Sequence, residues 1–550
     1  MMTFFTHIVL SVLCTISCLN ADIEPNLRVN YDDRRLSQPR YAGYEAASDV
    51  LDHSQIDKDL KEAMLQLDRG NTEGFSLAYK FYKDGAFSKS YAILDLKTPL
   101  DNDVGKGTLI TGKNSDGDDI TGFVYADAEA TSAVLKVQYN AFEETSPYNC
   151  FVGTLSEIGQ EILTGCFAST GTINIGSGTI VVSREYEYVP STDNKNGRTI
   201  AGFSTSAEEK MLSGCKGCPY KDFSEYYNYY GVADYGDKWV TAALDGTKTS
   251  FTNGNADFGA YSFVGREEAA QKGMAYMIIA MYVIRELEDA LDDCNSNCGV
   301  TSCNDDPVHA WDEAVAFYTG SLHGTSKAGT DGNLYFTLAD KRCSNFGTCG
   351  LSGDTNEGTS KVNYDIFREF VDGLNNLLTG ECEAARMNKE KIARFMTIPL
   401  IQGTLRYAYK VDKLSGQEKE KAEGAVFAAA ILPKINTCNE EDAKTIYDNM
   451  KVGATETDFK AVKKAFENNY NCLKITCDDV GGLLKGDTGD YYEDAGPCSG
   501  GGISNGGTIV AIVLGSVAGG VALIALGFIC FMRKREKSGA PIFSPSKVIS

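Results

Sequence analysis

The chain is poor in histidine and lacks the common signatures of enzymes. Of its four histidines, only His53, His309 and His323 follow the apolar N-terminal segment. The motifs G-x-S-x-G and H-E-x-x-H are absent, and so is the glycine fingerprint of dinucleotide-binding domains. These absences argue against a hydrolase of a common type, and we predict that the protein is not an enzyme.

Positive charge is also scarce. The 550 residues include 52 lysines and arginines against 75 aspartates and glutamates, a net charge of −23. Nucleic acid and anionic lipid surfaces are therefore poor partners, whereas cations are good ones. Acidity alone also keeps many proteins soluble, so it does not identify a site. No N-x-S/T sequon occurs, and no N-glycan is predicted.

The two ends of the chain predict a membrane-anchored cell-surface protein. Residues 1–21 have the length and apolar core of a secretory signal peptide. Thr508 to Met532 is an uncharged apolar run long enough to cross a bilayer, and Arg533, Lys534 and Arg535 follow it directly. The expected topology is type I single-pass in the plasma membrane, with the bulk of the chain outside.

Cysteine usage fits an oxidising compartment. Fourteen of the 17 cysteines lie between the signal peptide and the membrane segment, an even number that allows seven disulfides. Cys150 and Cys166 are a candidate pair. For the lone Cys215-x-x-Cys218 a structural disulfide is favoured over a zinc or redox site, because no second C-x-x-C accompanies it.

The residue patterns predict an α+β fold: an N-terminal antiparallel β-rich domain, a larger disulfide-linked helical domain and one C-terminal transmembrane helix. Ser54 to Leu67 has the spacing of an amphipathic helix, and short Val-, Ile- and Thr-rich runs alternate with Gly, Asn and Asp after Gly70. The predicted organisation is a signal peptide (1–21), a leader with a short helix (22–70), a β-rich domain (71–190), a mainly helical domain (191–486), a Gly-rich stalk (487–507), a transmembrane helix (508–532) and a cytosolic tail (533–550).

Two helices between Lys272 and His323 carry the strongest candidates for a metal site. An apolar run from Met274 to Ile284 leads into an acidic end, and a second helix starts at Asp306 and Pro307. Helical spacing places a phenol and carboxylates on one face of the first helix, and an imidazole and carboxylates on one side of the second. Hard metal ions bind such groups. The predicted ligands are Tyr282, Glu286, Asp289, His309, Asp312 and Glu313.

A tyrosine-rich stretch offers further hard oxygen donors. Tyr220 to Tyr235 holds six tyrosines in sixteen residues. Phenolate suits ferric iron, because a trivalent cation can displace the phenolic proton. Packing as wall residues is the alternative, and the more common fate of any one tyrosine. The further candidate ligands are Tyr230, Tyr235 and, from a later helix, Tyr409.

A buried arginine suggests an anion site. Asn388 to Val411 is an apolar helix interrupted by Pro399, and Gln402, Arg406 and Tyr409 share one of its faces. A buried guanidinium needs an anion. An internal salt bridge to Glu286 or Asp312 is the favoured reading, and a small oxyanion held by Arg406 and Gln402 is the other.

Long stretches of the chain resemble one family, the phytotransferrins, also called iron-starvation-induced proteins, together with the green-algal iron-assimilation proteins. The matching phrases cover most of the predicted ectodomain: DNKNGRTIAGFST (193–205), NGNADF (253–258), KGMAYMIIAMYVIRELEDALDDC (272–294), WDEAVAFYTGSL (311–322), LADKRCSNFGTCG (338–350), IPLIQGTLRYAYKVD (398–412) and AEGAVFAAAILP (422–433). The resemblance implies cell-surface capture of ferric iron, Fe(III), with carbonate as synergistic anion. It further implies endocytosis, then release as the vesicle acidifies.

The resemblance brings no ligand list, and two other functions stay open. The cytosolic tail has no tyrosine-based or dileucine sorting signal, so uptake into endosomal vesicles would need an endocytic adaptor; a ferric reductase is a further candidate partner. One alternative is a non-catalytic adhesive or structural cell-surface protein. The other is an imelysin-like helical metallohydrolase, suggested by the spacing His309-x-x-Asp312-Glu313.

Overall fold

The computed structural model describes residues 40–498, apart from 49, 86, 89–91, 115–116, 140–166, 169, 177–180, 189–197, 295–305, 325, 327–330 and 487. The predicted signal peptide, transmembrane helix and tail, and the candidate pair Cys150 and Cys166, lie outside these residues. Within the part of the chain that the structure describes, no helix has the length and apolarity to span a membrane.

The N-terminal segment is mainly helical. A short hairpin of β1 (Arg40–Tyr41) and β2 (Tyr44–Glu45) precedes α1 (Leu51–Ser54), α2 (Ile56–Leu67) and α3 (Thr72–Asp84). The predicted amphipathic helix is confirmed as α2. Helix α3 lies inside the stretch predicted to be β-rich, because its aromatic residues favour strands by composition, yet their spacing buries one helical face.

The β-rich region is a closed barrel of six antiparallel strands. In chain order they are β3 (Ala92–Leu96), β4 (Leu109–Lys113), β5 (Asp119–Val124), β6 (Val134–Tyr139), β7 (Thr170–Ile175) and β8 (Val182–Tyr188). Their order around the barrel is β3-β6-β5-β4-β7-β8, and β8 pairs back onto β3, Leu96 opposite Tyr186. Buried side chains such as Leu94, Ile110 and Val137 form a core of its own.

The remaining described chain is helical and builds a second, larger core. Its helices are α4 (Ile200–Thr205), α5 (Lys221–Tyr230), α6 (Tyr235–Asp245), α7 (Phe263–Gly273), α8 (Ala280–Cys294), α9 (Asp306–Thr319), α10 (Tyr335–Phe346), α11 (Lys361–Leu378), α12 (Cys382–Phe395), α13 (Thr397–Lys413), α14 (Glu418–Cys438), α15 (Glu440–Met450), α16 (Phe459–Leu473) and α17 (Cys477–Val480). Residues of β1, β2 and α1–α3 belong to this same core, so the barrel is an insertion between two parts of the helical domain.

The chain contains two π-helical segments, and Lys210 of one of them lines the cavity described below. Met274–Ile279 joins α7 to α8 in a continuous helical conformation, and Glu208–Ser213 follows α4. As predicted, the helical stretch around Pro399 is interrupted. Helix α12 ends at Phe395, and the break at Met396, three residues before the proline, puts Pro399 in the first turn of α13. A missing N–H leaves no helical hydrogen bond unmade there.

Disulfides link the helical domain, as predicted. Cys215–Cys218 confirms the structural reading of the C-x-x-C motif. The other bridges among the described residues are Cys294–Cys382, Cys343–Cys349, Cys438–Cys472 and Cys477–Cys498. Cys294–Cys382 ties the end of α8 to the start of α12, and so fixes the acidic end of the long helix.

Candidate metal centre

A cavity of about 380 Å³ lies between α8 and α9 and is closed by segments from earlier in the chain. Helix α8 lines it with five charged or phenolic side chains, and α9 with an imidazole and a carboxylate. The lining residues are His53, Arg198, Lys210, Tyr282, Arg285, Glu286, Asp289, Asp293, His309, Ala310, Glu313 and Phe317.

Three of these side chains can share one metal ion. Nε2 of His53 lies 2.6 Å from Oε1 of Glu313, and Nε2 of His309 lies 3.0 Å from the same oxygen. The ligand atoms of all three residues lie within 4.8 Å of one another. His309 and Glu313 are one helical turn apart on α9, whereas His53 comes from α1. Two ring nitrogens therefore point at one carboxylate oxygen.

An oxygen of a neighbouring residue lies close to the other ring nitrogen of each histidine. Nδ1 of His53 lies 2.8 Å from Asp52 Oδ1, and Asp52 Oδ2 accepts a hydrogen bond from Arg198 at 2.7 Å. Nδ1 of His309 lies 3.1 Å from Ser48 Oγ. A carboxylate or hydroxyl on Nδ1 orients the ring and leaves Nε2 for a metal, the usual arrangement around metal-bound histidine.

Tyr282 forms one wall of the cavity. Its ring stacks on Phe203 at a centroid distance of 3.7 Å, and its hydroxyl accepts a hydrogen bond of 2.9 Å from Lys210 Nζ. Lys210 lies on the π-helical segment Glu208–Ser213, and π-turns frequently occur at functional sites. Burial raises the pKa of Tyr282, and Lys210 opposes the shift, so the side chain is a neutral phenol without a metal.

Carboxylates of α8 supply further oxygen donors. Arg285 pairs with both Glu286 and Asp289, the latter at 2.9 Å. Burial raises the pKa of Glu286 to about 7, although Arg285 opposes the shift. Burial raises the pKa of Asp289 as well. Glu286 is thus poised to gain negative charge when a cation enters.

The pKa shifts of His53 and Glu313 favour the charged forms of both side chains, in contrast to the shift of Glu286. Burial disfavours a charged His53, yet the Glu313 and Asp52 carboxylates raise its pKa. Burial would also raise the pKa of Glu313, but His53, His309 and Arg198 hold it well below its usual value. A proton on His53 therefore occupies the position between imidazole and carboxylate that a metal ion would take.

Five of the six predicted ligands line this one cavity: Tyr282, Glu286, Asp289, His309 and Glu313. Asp312 faces the other way. Its carboxylate accepts hydrogen bonds from Tyr44 Oη at 2.6 Å, from the Ala47 N–H at 2.8 Å and from Ser48, and burial raises its pKa to about 6. Ser48 Oγ contacts both Asp312 and His309, so Asp312 acts on the cavity only through that hydroxyl.

The predicted anion site lies elsewhere. Gln402 is buried and donates to Thr348 Oγ1 and to the Val480 carbonyl. The Arg406 guanidinium lies 5.2 Å from the Tyr407 ring centre. Neither is among the residues that line the cavity in the described chain. The expected pairing of an arginine with Glu286 does occur, but the arginine is Arg285.

The three further tyrosine candidates belong to the core. Tyr230 Oη donates to the Ala429 carbonyl at 2.7 Å, and Tyr235 Oη lies 3.4 Å from that of Met277. Tyr409 packs against Phe459 and Tyr492. The structure thus places all three as packing residues and outside the set that lines the cavity.

Sequence reasoning did not single out His53, Arg198 or Lys210 as site residues. Helical spacing cannot find them, because each comes from a segment distant in sequence from α8 and α9. Two signals were present: His53 is one of only three candidate histidines, and Arg198 lies in the phrase DNKNGRTIAGFST.

The donor set fits iron. Two imidazoles and one carboxylate with open positions are typical of non-haem iron sites, and the neighbouring carboxylates and phenol suit the harder ferric ion. The same two-histidine, one-carboxylate set also occurs in catalytic zinc sites, so the side chains alone do not choose between these metals.

Comparison with known families places the chain in an iron-related family. The model of the Fea1 family, described as low iron-inducible periplasmic protein, matches residues 202–489, more than half of the chain. Searches among curated proteins and among solved structures give no match. The matched residues include Lys210, α8 and α9, while His53 and Arg198 precede them. The description and the disulfides agree with a location outside the cytosol. The chain belongs to the low iron-inducible periplasmic protein family, Fea1, a family related to iron assimilation.

Proposed function

We propose that the protein binds ferric iron through His53, His309 and Glu313 and delivers it for assimilation when iron is scarce. The observation that carries the proposal is the pair of Nε2 atoms close to one Glu313 oxygen, with an oxygen of Asp52 or Ser48 near each Nδ1. Family membership favours iron over zinc. Glu286, Asp289 and Tyr282 supply hard oxygen donors for the ferric state.

We also propose that carbonate binds in the same cavity as the iron, as its synergistic anion. Arg198, Lys210 and Arg285 bring three positive charges to its walls, and an arginine fork can hold a planar oxyanion with two hydrogen bonds. This location replaces the Arg406 and Gln402 pair, which lies elsewhere. Carbonate would share the metal with the histidines and would itself be lost on protonation.

The cellular part of the proposal follows from the two ends of the chain. A secreted domain anchored by residues 508–532 would capture iron at the plasma membrane, enter endosomal vesicles and release the metal in acid. Acid release is supported by the site itself, since protons compete for His53 and for Glu286, whose pKa is about 7.

The test is ferric titration of the purified full-length protein with and without bicarbonate. We expect His309→Gln and Glu313→Gln each to weaken iron binding at least 100-fold, since a direct ligand should exceed the 10- to 100-fold typical of outer partners. The control is His323→Gln, a third histidine that packs on Phe336 at 4.2 Å and lies outside the cavity. If His309→Gln and Glu313→Gln bind iron as tightly as the control and the wild type, this centre does not bind the iron.

A metallohydrolase is the second candidate, favoured by the same two-histidine, one-carboxylate set. It requires turnover of a peptide or ester by the metal-loaded protein, with loss of turnover in Glu313→Gln. Iron binding without turnover would leave the binding protein as the function.

A further inference from the structure

A second cavity contains a buried arginine with unused hydrogen-bond donors. This cavity, of about 160 Å³, lies between α2, α7, α10, α13 and α14, and none of its lining residues lines the metal cavity. Arg342 of α10 is 8% exposed, and its Nε and Nη1 groups have no hydrogen-bond partner among the described residues. An unpaired charge of this kind is costly to bury, and a bound anion would offset that cost.

Helix α10 places a second polar atom without a hydrogen-bond partner on the cavity wall. Thr337 precedes Arg342 by five residues on α10 and lines the same cavity, and its buried Oγ1 also lacks a partner within the described chain. Lys341 lies beside them, more exposed. A hydroxyl and a guanidinium that line one cavity offer donors for oxygen atoms.

The one carboxylate that lines the cavity, Glu423, is already engaged. Its Oε1 lies 3.0 Å from Lys272 Nζ, and Lys272 also pairs with Glu268 across one turn of α7. The lining residues carry Lys272, Lys341 and Arg342 against Glu423 alone, so the walls have a surplus of positive charge in a protein of net charge −23.

Aromatic rings also position the guanidinium, and Tyr407 shares a hydrogen bond with it, while Nε and Nη1 stay without a partner among the described residues. Arg342 Cζ lies 5.8 Å from the Phe427 ring centre and 5.9 Å from that of Tyr407, distances at which a cation and a ring face attract. Tyr276, which also lines the cavity, stacks on Phe427. Burial lowers the pKa of Arg342 and Tyr407 offsets only part of this, so the rings do not replace a counter-ion.

We infer that this cavity binds a small oxyanion that carries carboxylate or phosphate groups, with Arg342 as its bidentate donor and Thr337 as a further contact. The volume exceeds that of a few water molecules and suits a ligand up to about the size of a tricarboxylate. The inference does not depend on the proposed iron site, because the two cavities share no residue.

The experiment is calorimetric titration of the purified full-length protein with inorganic phosphate and, separately, with citrate. We expect at least one anion to bind the wild type, and Arg342→Gln to weaken it at least tenfold. Arg342→Lys should restore part of the affinity, since it returns the charge but not the fork. Arg406→Gln is the matched control: this neighbouring arginine also lies over Tyr407 but does not line the cavity, and its loss should leave the affinity unchanged.

A thermal readout keeps the inference testable if a variant is less stable. Saturating anion should raise the Tm of the wild type, and this rise should vanish in Arg342→Met. The iron-site variant His309→Gln should show the full rise, which separates failure here from failure of the iron site. Absence of binding by either anion, or equal binding by Arg342→Gln and wild type, would overturn the inference.

Discussion

Two clusters of buried charge lie along helix α8, and they differ in how their carboxylates are neutralised. On one side Glu313 faces two imidazoles in the metal cavity. On the other, Lys389 Nζ lies 2.5 Å from Asp222 Oδ2 and also pairs with Glu288 of α8. Lys434 pairs with Asp222 and, at 2.7 Å, with Glu225. We call this second group, Asp222, Glu225, Glu288, Lys389 and Lys434, the lysine–carboxylate cluster.

In the lysine–carboxylate cluster, ammonium groups neutralise the carboxylates. In the metal cavity, the neutralising charge comes from protons on the imidazoles. A lysine ammonium keeps its charge at any physiological pH, and Asp222 and Glu288 raise the pKa of Lys389 even though burial opposes this. An imidazole can give up its proton and then bind a metal. Acidic composition alone therefore does not make a metal site; the identity of the counter-ion decides.

The largest expected effect is on stability, from breaking the lysine–carboxylate cluster. Lys389→Met leaves Glu288 buried without its partner, and we expect a loss of about 3 kcal/mol in the free energy of unfolding. Urea unfolding measures it. The control Lys444→Met breaks an exposed pair with Asp448 and should cost below about 1 kcal/mol. Iron affinity should stay that of the wild type; an affinity loss in folded Lys389→Met would contradict the contrast between the clusters.

An intermediate effect is expected from the carboxylate that holds His53. Asp52→Asn removes the charged acceptor at Nδ1 and loosens Arg198, so iron affinity should fall about 10- to 100-fold. A ferric titration against a competing chelator measures it. Asp101→Asn is the matched control, because Asp101 also pairs with an arginine, Arg184, but on the barrel. Equal affinities for the two variants would show that Asp52 does not support the site.

The smallest expected effect is on the pH dependence of iron affinity, through Glu286 of α8. Iron affinity should fall as pH drops below about 7, because Glu286 then takes up a proton and the cavity loses negative charge. In Glu286→Gln the fall near pH 7 should be shallower, and the remaining decrease should come from the histidines. Titrations between pH 8 and 5 measure both profiles; superimposable profiles would contradict the role of Glu286.

The raised pKa of Glu286 also determines how the free energy of unfolding of the iron-free protein changes with pH. Between the ordinary value of 4.5 and about 7, folded Glu286 holds a proton that the unfolded chain has released. The contribution of this residue to the free energy of unfolding is therefore present at low pH and is lost as pH rises through about 7. Iron binding reverses the preference by favouring the carboxylate.

Short-range spacing was enough to predict the parts of the site that lie on one helix. Tyr282, Glu286 and Asp289 are separated by four and three residues, and His309 and Glu313 by four, so each set shares a helical face. The α+β class and the disulfide at Cys215-x-x-Cys218 also followed from local patterns, and the structure confirms both.

Helical spacing did not predict that Asp312 faces away from the cavity. Asp312 is adjacent to Glu313, and neighbouring residues on a helix point about 100° apart, so both cannot face one cavity equally. Which one does depends on what packs against α9. The hairpin of β1 and β2 brings Tyr44, Ala47 and Ser48 to the Asp312 side, while His53 arrives on the Glu313 side.

The amino-acid order alone was sufficient for helices α8 and α9, their acidic and phenolic faces and the choice of an iron-related family, because the faces depend on residues a few positions apart and the family on continuous phrases. Only the packed chain decided that His53, Arg198 and Lys210 would join those faces, and that Arg406 would not. Contacts between distant segments depend on how whole helices pack against one another, which periodicity within a single helix does not encode.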